Sequence, residues 1–178
     1  MKFLLFLTSL PLILTLWRSS STAAAAQAAL GGPAPDFVLK DQYDHEVRLS
    51  QLRGQVVLLV YGDSEGTNFF QSWVATVRQK FPADKVRLVP IVNFDGGVPG
   101  FMHGHVAGKF QGKTPDGQPK TSKLMDWDGV IAKQYGAVKK LTNVYLVDRQ
   151  GNLKFTASGK GTADDTEGLM QSIAIALK

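Results

Sequence analysis

Two hydrophobic patterns meet near the centre of this sequence. Six consecutive apolar residues, 56–61, predict a strand that is buried on both faces. A polar turn, residues 62–68, separates it from apolar residues at three- and four-residue spacing, which predict an amphipathic helix (Phe69, Phe70, Trp73, Val74, Val77 and Phe81). Asp63, Ser64 and Thr67 each offer an oxygen that can cap this helix. The 62–68 turn is therefore the first candidate site, because backbone N–H donors and the helix dipole converge there.

Shorter patterns precede and follow this central pair. Residues 37–40 and 46–49 predict a small hairpin, and residues 50–54 a single helical turn that ends at a glycine. Residues 86–93 predict the next strand. Pro90 inside it indicates a bulge or an edge position, since proline cannot donate to a strand ladder.

The second half of the chain is less regular at first and then resumes a clear pattern. Its predicted elements are a short helix within 101–110, a helix over 128–135, strands over 143–147 and 152–157, and a terminal helix that begins at Thr162 with Asp165 as capping partner. The order is hairpin, strand, helix, strand, helical segment, strand, strand, helix. This order predicts one α/β domain: a thioredoxin-like three-layer α/β/α sandwich with an N-terminal β-hairpin extension.

The first 26 residues have the pattern of a signal peptide. Lys2 precedes an apolar run over residues 3–17, and small residues follow with alanine-rich candidate cleavage sites. The run is short for a membrane span of about 20 residues. We therefore expect export to the periplasm or medium and no membrane contact after cleavage. An uncleaved anchor is the alternative.

Removing residues 1–26 leaves one domain over 27–178 and lowers the formal charge from +5 to +3, because Lys2 and Arg18 leave with the segment. The lysines of the irregular stretch are scattered among glycines and prolines, with Phe110 as the single aromatic residue between them (Lys109, Lys113, Lys120 and Lys123). Nucleic acid is therefore not an expected partner.

The 178 residues contain no cysteine. This excludes a disulfide, a thiol-anchored lipoprotein, an iron–sulfur centre and a thiolate-bound zinc within this sequence. Stability has to come from packing.

Several stretches resemble the redoxin and AhpC/TSA group, which includes peroxiredoxins and exported thioredoxin-like proteins of the ResA/TlpA type. In the first half these are residues 32–37 (GPAPDF), Leu39, Asp41, Val47, 49–50, 52–54 and 56–58; in the second half they are 126–129 (DWDG), Ala132, 135–138 (YGAV) and 144–151. Residues 91–100 (IVNFDGGVPG) and the cysteine-free turn resemble, more weakly, the YtfJ-type periplasmic proteins.

The resemblance implies where the redox centre of such proteins would lie. Their Cys-x-x-Cys pair falls at Glu65 and Asn68, their peroxidatic motif is matched only by Thr67, and their cis-proline falls at Thr142. We expect a trans bond at Thr142, because a cis bond without proline costs about 2.5–4 kcal/mol. Thiol exchange and thiol peroxidase chemistry need a thiolate, so this sequence alone cannot perform them.

Two other motifs suggest different chemistry. Residues 62–66 (GDSEG) match the nucleophile elbow of serine hydrolases, with Ser64 as nucleophile, but the only later histidines are His103 and His105. Those histidines, with Asp95, are weak candidates for metal ligands. Residues 107–114 approximate a phosphate-binding loop without the strand and helix it requires. We expect no cofactor and no metal, Asp126 and Asp128 as turn and cap residues, and Trp73 and Trp127 in the core.

The favoured interpretation is a redoxin-family protein without redox cysteines that binds a protein or peptide partner. The contact surface would be the active-site-equivalent turn with Thr142 opposite it; the turn residues are Asp63, Ser64, Glu65, Gly66, Thr67 and Asn68. The alternatives are an antioxidant oxidoreductase that relies on a partner's thiols or a metal, and a hydrolase that uses Ser64.

Overall fold

The computed structural model describes residues 28–178, which form seven strands and four α-helices. The strands are β1 (Val38–Asp41), β2 (Glu46–Arg48), β3 (Val56–Gly62), β4 (Val86–Asn93), β5 (Leu124–Asp126), β6 (Asn143–Val147) and β7 (Leu153–Ser158). The helices are α1 (Phe70–Lys80), α2 (His103–Phe110), α3 (Val130–Tyr135) and α4 (Ala163–Ala176). Short 3-10 turns precede β3, α1 and α2.

All seven strands belong to one mixed sheet in the order β2-β1-β5-β4-β3-β6-β7. β3 runs parallel to β4 and antiparallel to β6, and β4 runs parallel to β5. Every residue of β3 is buried, as its uninterrupted apolar run predicts. The carboxyl end of β3, where the 62–68 turn begins, therefore lies near the middle of the sheet.

Two hydrophobic clusters cover the two faces of the sheet. One contains Trp73 and Val77 of α1 with Leu169 and Ile173 of α4. The other contains residues of α3 and of the N-terminal hairpin. Because β3 contributes alternate residues to each cluster, the sheet is a central layer between helices. The α/β class, the three layers and the hairpin extension are confirmed.

The sequence interpretation missed β5. This strand is only three residues long, all of them buried, and it follows a long irregular stretch, so no alternation marks it. It lies between β1 and β4 and joins the N-terminal hairpin to the rest of the sheet.

The expectation of a bulge or an edge position at Pro90 was wrong. No bulge interrupts β4, which pairs with β3 from Val86 to Val92, and β4 is an interior strand. However, β5 pairs only with residues 91–93. The nitrogen of Pro90 therefore faces the side of β4 just before β5 begins to pair, a position that tolerates a missing N–H.

The predicted caps are present. Thr162 and Asp165 form the capping box of α4. The buried Asp126 carboxylate accepts the N–H groups of Val130 and Ile131 at the start of α3. Trp73 is buried in the core, but the expectation for Trp127 was wrong, because it is only half-buried in an aromatic stack at the surface.

The proposed signal peptide, residues 1–26, lies outside the described residues. Within residues 28–178, no helix has the length and apolar character needed to cross a membrane.

Candidate functional site

The 62–68 turn connects the buried strand β3 to α1 through a 3-10 turn, Gly66–Phe69. Ser64, Glu65 and Asn68 are exposed, whereas Gly62 and Gly66 are buried. The two positions that match the redox pair of related proteins thus lie at the surface, with a buried backbone beneath them.

Of the three predicted caps, Asp63 is the one that binds the helix start. Its Oδ1 accepts the backbone N–H groups of Glu65 and Gly66 at 3.1 and 2.8 Å. Its Oδ2 accepts the N–H of Lys140 at 2.8 Å. The Thr67 hydroxyl instead donates to the carbonyl of Ser64. One carboxylate therefore holds the turn and also ties it to the segment that precedes β6.

The backbone of that segment passes very close to the turn. A Cβ atom placed on Gly66 would lie 2.5 Å from the carbonyl oxygen of Leu141, and one placed on Gly62 would lie 2.6 Å from the carbonyl carbon of Gly66. No side chain fits at either position without movement of the backbone. Glycine is therefore required at both positions, because the backbone segments lie too close together for a side chain.

Thr142 lies against the turn, as the resemblance implies for the residue in its position. It is completely buried, and its hydroxyl donates to the carbonyl of Gly66. All peptide bonds of residues 28–178 are trans, so the trans bond expected at Thr142 is confirmed. The Thr142 side chain supports the turn from inside and contributes no exposed surface.

Two exposed ion pairs connect the same segments. Lys140 Nζ lies 3.3 Å from Glu65 Oε1, and Lys139 Nζ lies 2.8 Å from Asp95 Oδ2. The hydrogen bond from Lys139 lowers the pKa of Asp95 below its ordinary value. Exposed pairs of this kind contribute little stability, so the backbone hydrogen bonds of Asp63 and the buried contact of Thr142 hold the two segments together.

A groove of about 470 Å³ opens on one side of the turn; we call it the turn groove. Its walls are Asp63, Ser64 and Thr67 on the turn, residues 92–95 and 97–98 at the end of β4 and after it, and Phe110 at the end of α2. The sequence interpretation included the turn but missed the opposite wall. The aromatic residues of the irregular stretch were its only signal.

The histidines do not complete a hydrolase or a metal site. His103 stacks on Trp127, with ring centroids 4.0 Å apart, and its Nε2 lies 3.0 Å from the carbonyl oxygen of Val98. His45 contacts Asp41. Within residues 28–178, no histidine hydrogen-bonds to Ser64, and no group of three or more potential ligands is close enough to hold a metal.

Two buried polar groups lie behind the turn. Burial raises the pKa of the Asp126 carboxyl, although the N–H groups of Ile131 and Val130 partly offset it. Burial also raises the pKa of Tyr61, whose hydroxyl has no hydrogen-bond partner within residues 28–178. Neither residue lines the turn groove, so we assign them to the interior of the fold.

Comparison with known proteins gives consistent results. The model of the AhpC/TSA family matches residues 30–156. The thiol-disulfide oxidoreductase ResA of Geobacillus kaustophilus is 29% identical over 152 residues, which cover 82% of this chain and 78% of that protein. A second ResA, from Geobacillus thermodenitrificans, is 27% identical over 152 residues, with the same coverage of each chain.

Solved structures agree on the fold. The crystal structure of a putative thiol:disulfide interchange protein DsbE from Chlorobium tepidum is 26% identical, with a TM-score of 0.60 over 85% of this chain and 100% of that one. The exposed lipoprotein thioredoxin Etrx1 of Streptococcus pneumoniae gives a TM-score of 0.56 at 20% identity, over 79% of this chain and 98% of that one. The thioredoxin-like fold is confirmed.

Proposed function

This chain belongs to the AhpC/TSA family, and from that premise we propose that it is an exported, non-catalytic member that binds a protein or peptide partner beside the 62–68 turn. The observation that carries the proposal is that the turn keeps its place between β3 and α1 while the chain contains no thiol. Asp63 and Thr142 hold it in a fixed conformation instead.

The missing thiol removes the chemistry that the names of the ResA and DsbE relatives describe. Thiol–disulfide exchange proceeds by attack of a thiolate on a disulfide sulfur. The turn offers a carboxylate, hydroxyls and an amide, and hydroxyls are poor nucleophiles without an activating base. A binding function needs none of this chemistry.

The turn groove supports binding of a polypeptide. Its volume lies within the range of about 300–1,000 Å³ that is usual for ligand sites, and its walls combine apolar groups with polar groups of the turn. Phe69 and Val138 are large apolar side chains that remain exposed next to the turn and the segment tied to it. Apolar surface around a concave site favours a macromolecular partner.

Export is supported by the sequence of residues 1–26. A basic residue, an apolar run and small residues at the candidate cleavage sites are the three parts of a secretory signal.

Peptide selection tests the binding proposal. A phage library of random dodecapeptides is selected on the domain, residues 27–178, and single peptides are titrated by isothermal calorimetry. Thr67→Arg places a long charged side chain in the turn groove, whereas Ser72→Arg makes the same change at an exposed position of α1 outside that groove. We expect selected peptides to lose at least tenfold affinity with Thr67→Arg and none with Ser72→Arg. Selection of no peptide, or equal loss with both variants, would contradict the proposal.

A second candidate function is oxidoreduction with thiols or a metal supplied by a partner. The names of the ResA and DsbE relatives favour it. It predicts turnover in a redox assay that contains the missing group, and binding alone predicts none.

A further inference from the structure

Part of the sheet surface next to α1 is open. On this side of the sheet, α1 packs on β3, and α4 packs on β6 and β7. Val86 and Leu88 of β4 contact the same hydrophobic cluster as these helices, so the even-numbered side chains of β4 point to this side. Leu88 and Pro90 are nevertheless only half-buried. The surface over β4 is therefore only partly covered beside α1.

The open surface forms part of a pocket of about 340 Å³, which we call the anchor pocket. Six apolar side chains line it: Phe70 and Val74 of α1, Leu88, Pro90 and Val92 of β4, and Phe110 at the end of α2. The pocket shares Thr67, Val92 and Phe110 with the turn groove, so the two concavities are adjacent. A ligand held beside the 62–68 turn can therefore extend a side chain into the anchor pocket.

The size and walls of the anchor pocket favour a large apolar group. Its volume lies within the range of about 300–1,000 Å³ that is usual for ligand sites. Two aromatic rings, Phe70 and Phe110, belong to its walls. Entry of an apolar group releases water from these walls, which is the favourable step in hydrophobic binding. In protein interfaces, a few large side chains that fill such pockets provide most of the affinity.

A single lysine gives the anchor pocket its charge. Lys123 lines the pocket, and no aspartate or glutamate does. The side chain of Lys123 is half-buried, and its Nζ lies 5.6 Å from the centroid of the Phe110 ring. Within residues 28–178, no carboxylate oxygen lies within 4.0 Å of this ammonium group. The pocket therefore combines apolar walls with one positive charge that no acidic residue of the described chain balances.

We propose that the partner bound beside the turn places a large apolar side chain in the anchor pocket and an acidic side chain next to Lys123. The ligand is a peptide segment in which a large apolar residue and an aspartate or glutamate are close neighbours. The apolar side chain covers the open walls, and the carboxylate balances the charge of the ammonium group. The inference rests on the proposed function, and it specifies which side chains the ligand carries.

Three small molecules test the anchor pocket directly. 4-Phenylbutanoate, 4-phenyl-1-butanol and 4-phenylbutylamine carry the same ring and chain with a negative, a neutral and a positive end group. In ¹⁵N NMR titrations of the domain, residues 27–178, we expect the carboxylate to shift the amide signals of Val74, Leu88 and Lys123. It should bind at least fivefold more tightly than the amine, and its affinity should fall as sodium chloride is added.

Variants connect the anchor pocket with peptide binding. Dodecapeptides selected on the domain should carry a large apolar residue within two positions of an aspartate or glutamate. Gln71→Trp fills the pocket from an exposed position of α1 and should weaken these peptides at least tenfold, whereas Gln79→Trp, the same change on α1 outside the pocket, should not. Lys123→Glu should also weaken them at least tenfold, and Lys160→Glu, at an exposed residue outside the pocket, should leave affinity unchanged. None of the four positions belongs to the hydrophobic clusters, so the core stays intact.

The remaining outcomes separate the inference from the proposed function. If selected peptides lose affinity with Thr67→Arg but with neither Gln71→Trp nor Lys123→Glu, the anchor pocket is wrong and the proposed function stands. If the three small molecules leave the signals of the pocket unshifted, or bind equally, the inference is wrong whichever peptides are selected. If selection yields no peptide, the proposed function fails, and the inference fails with it.

Discussion

The carboxylate of Asp63 accepts a hydrogen bond from the backbone N–H of Lys140, a residue 77 positions further along the chain, at 2.8 Å. Lys140 has a positive φ of 64°, which few residues other than glycine adopt, and the bond to Asp63 holds it there. The same carboxylate caps the helical turn that leads into α1. A single side chain thus fixes both segments that meet at the candidate site.

Replacing Asp63 should therefore cost more stability than its partial exposure indicates. Asp63→Ala removes the acceptor of three backbone N–H groups, and we expect a loss of about 1–2 kcal/mol in the free energy of unfolding. Urea denaturation measures it. Asp84→Ala removes an exposed carboxylate that, within residues 28–178, forms an ion pair with Lys85, and it should change stability by less than about 0.5 kcal/mol. Equal effects of the two substitutions would contradict the assigned role of Asp63.

The close approach at Gly66 gives a second prediction. In Gly66→Ala the new methyl group meets the carbonyl of Leu141, so we expect a loss of about 1–3 kcal/mol. Gly104 in α2 has no atom within 4 Å of such a methyl group, and Gly104→Ala should be neutral or stabilise by up to about 1 kcal/mol. Thermal unfolding of the two variants provides the comparison. A Gly66→Ala protein as stable as the original would mean that the two segments lie further apart.

The carboxylate of Asp148, in the turn between β6 and β7, should make the stability of the protein depend on pH. Burial acts to raise the pKa of Asp148, but hydrogen bonds from Asn152 and the contact with Lys154 outweigh it, and the pKa lies below its ordinary value of about 4. The ionised carboxylate therefore stabilises the fold above about pH 4, and this contribution is lost as the pH falls through the lower pKa of the folded state.

Asp148→Asn should consequently be less stable than the original protein at pH 7, and the difference should shrink as the pH falls toward 2.5. Urea denaturation across this range measures it. Asp128→Asn, at an exposed position, is the control and should change stability by less than about 0.5 kcal/mol at pH 7. A difference for Asp148→Asn that stays constant with pH would show that the pKa of Asp148 is not lowered by folding.

Reintroducing cysteines tests whether the turn matches the redox site of related proteins. Residues three positions apart on a helical turn are close enough for a disulfide, so Glu65→Cys with Asn68→Cys should form one under air. In the reduced form, one thiol should react with DTNB faster than either thiol of Thr76→Cys with Gln79→Cys, a pair in the second half of α1. The reason is that a helix N-terminus stabilises a thiolate. Equal rates for the two pairs would place the redox-equivalent positions elsewhere.

Local patterns were sufficient to predict most of the fold. The apolar run of β3, the helical spacing of α1 and the capping box at Thr162 depend on neighbouring residues, and each is found where it was predicted. β5 was missed because three residues are too few to show an alternation of apolar and polar positions. Trp127 was misplaced because its neighbours, Phe94 and His103, are distant in sequence.

The site was predictable in position but not in construction. The turn was located from the strand–helix junction and the resemblance. The contacts that shape the turn join Asp63 to Lys140 and Gly66 to Thr142. These residues are far apart in the sequence, so no local pattern predicts that they meet. Gln42, which follows β1, binds a segment about 80 residues away in the same non-local way.

The rate of insulin reduction in the presence of dithiothreitol tests the central claim most directly: this chain retains the family scaffold without its sulfur chemistry. The Glu65→Cys/Asn68→Cys variant serves as the comparison in which thiols are present at the turn. The account predicts that the original protein gives the same rate as dithiothreitol alone at every protein concentration. A rate that rises above that background in proportion to the added protein would contradict it.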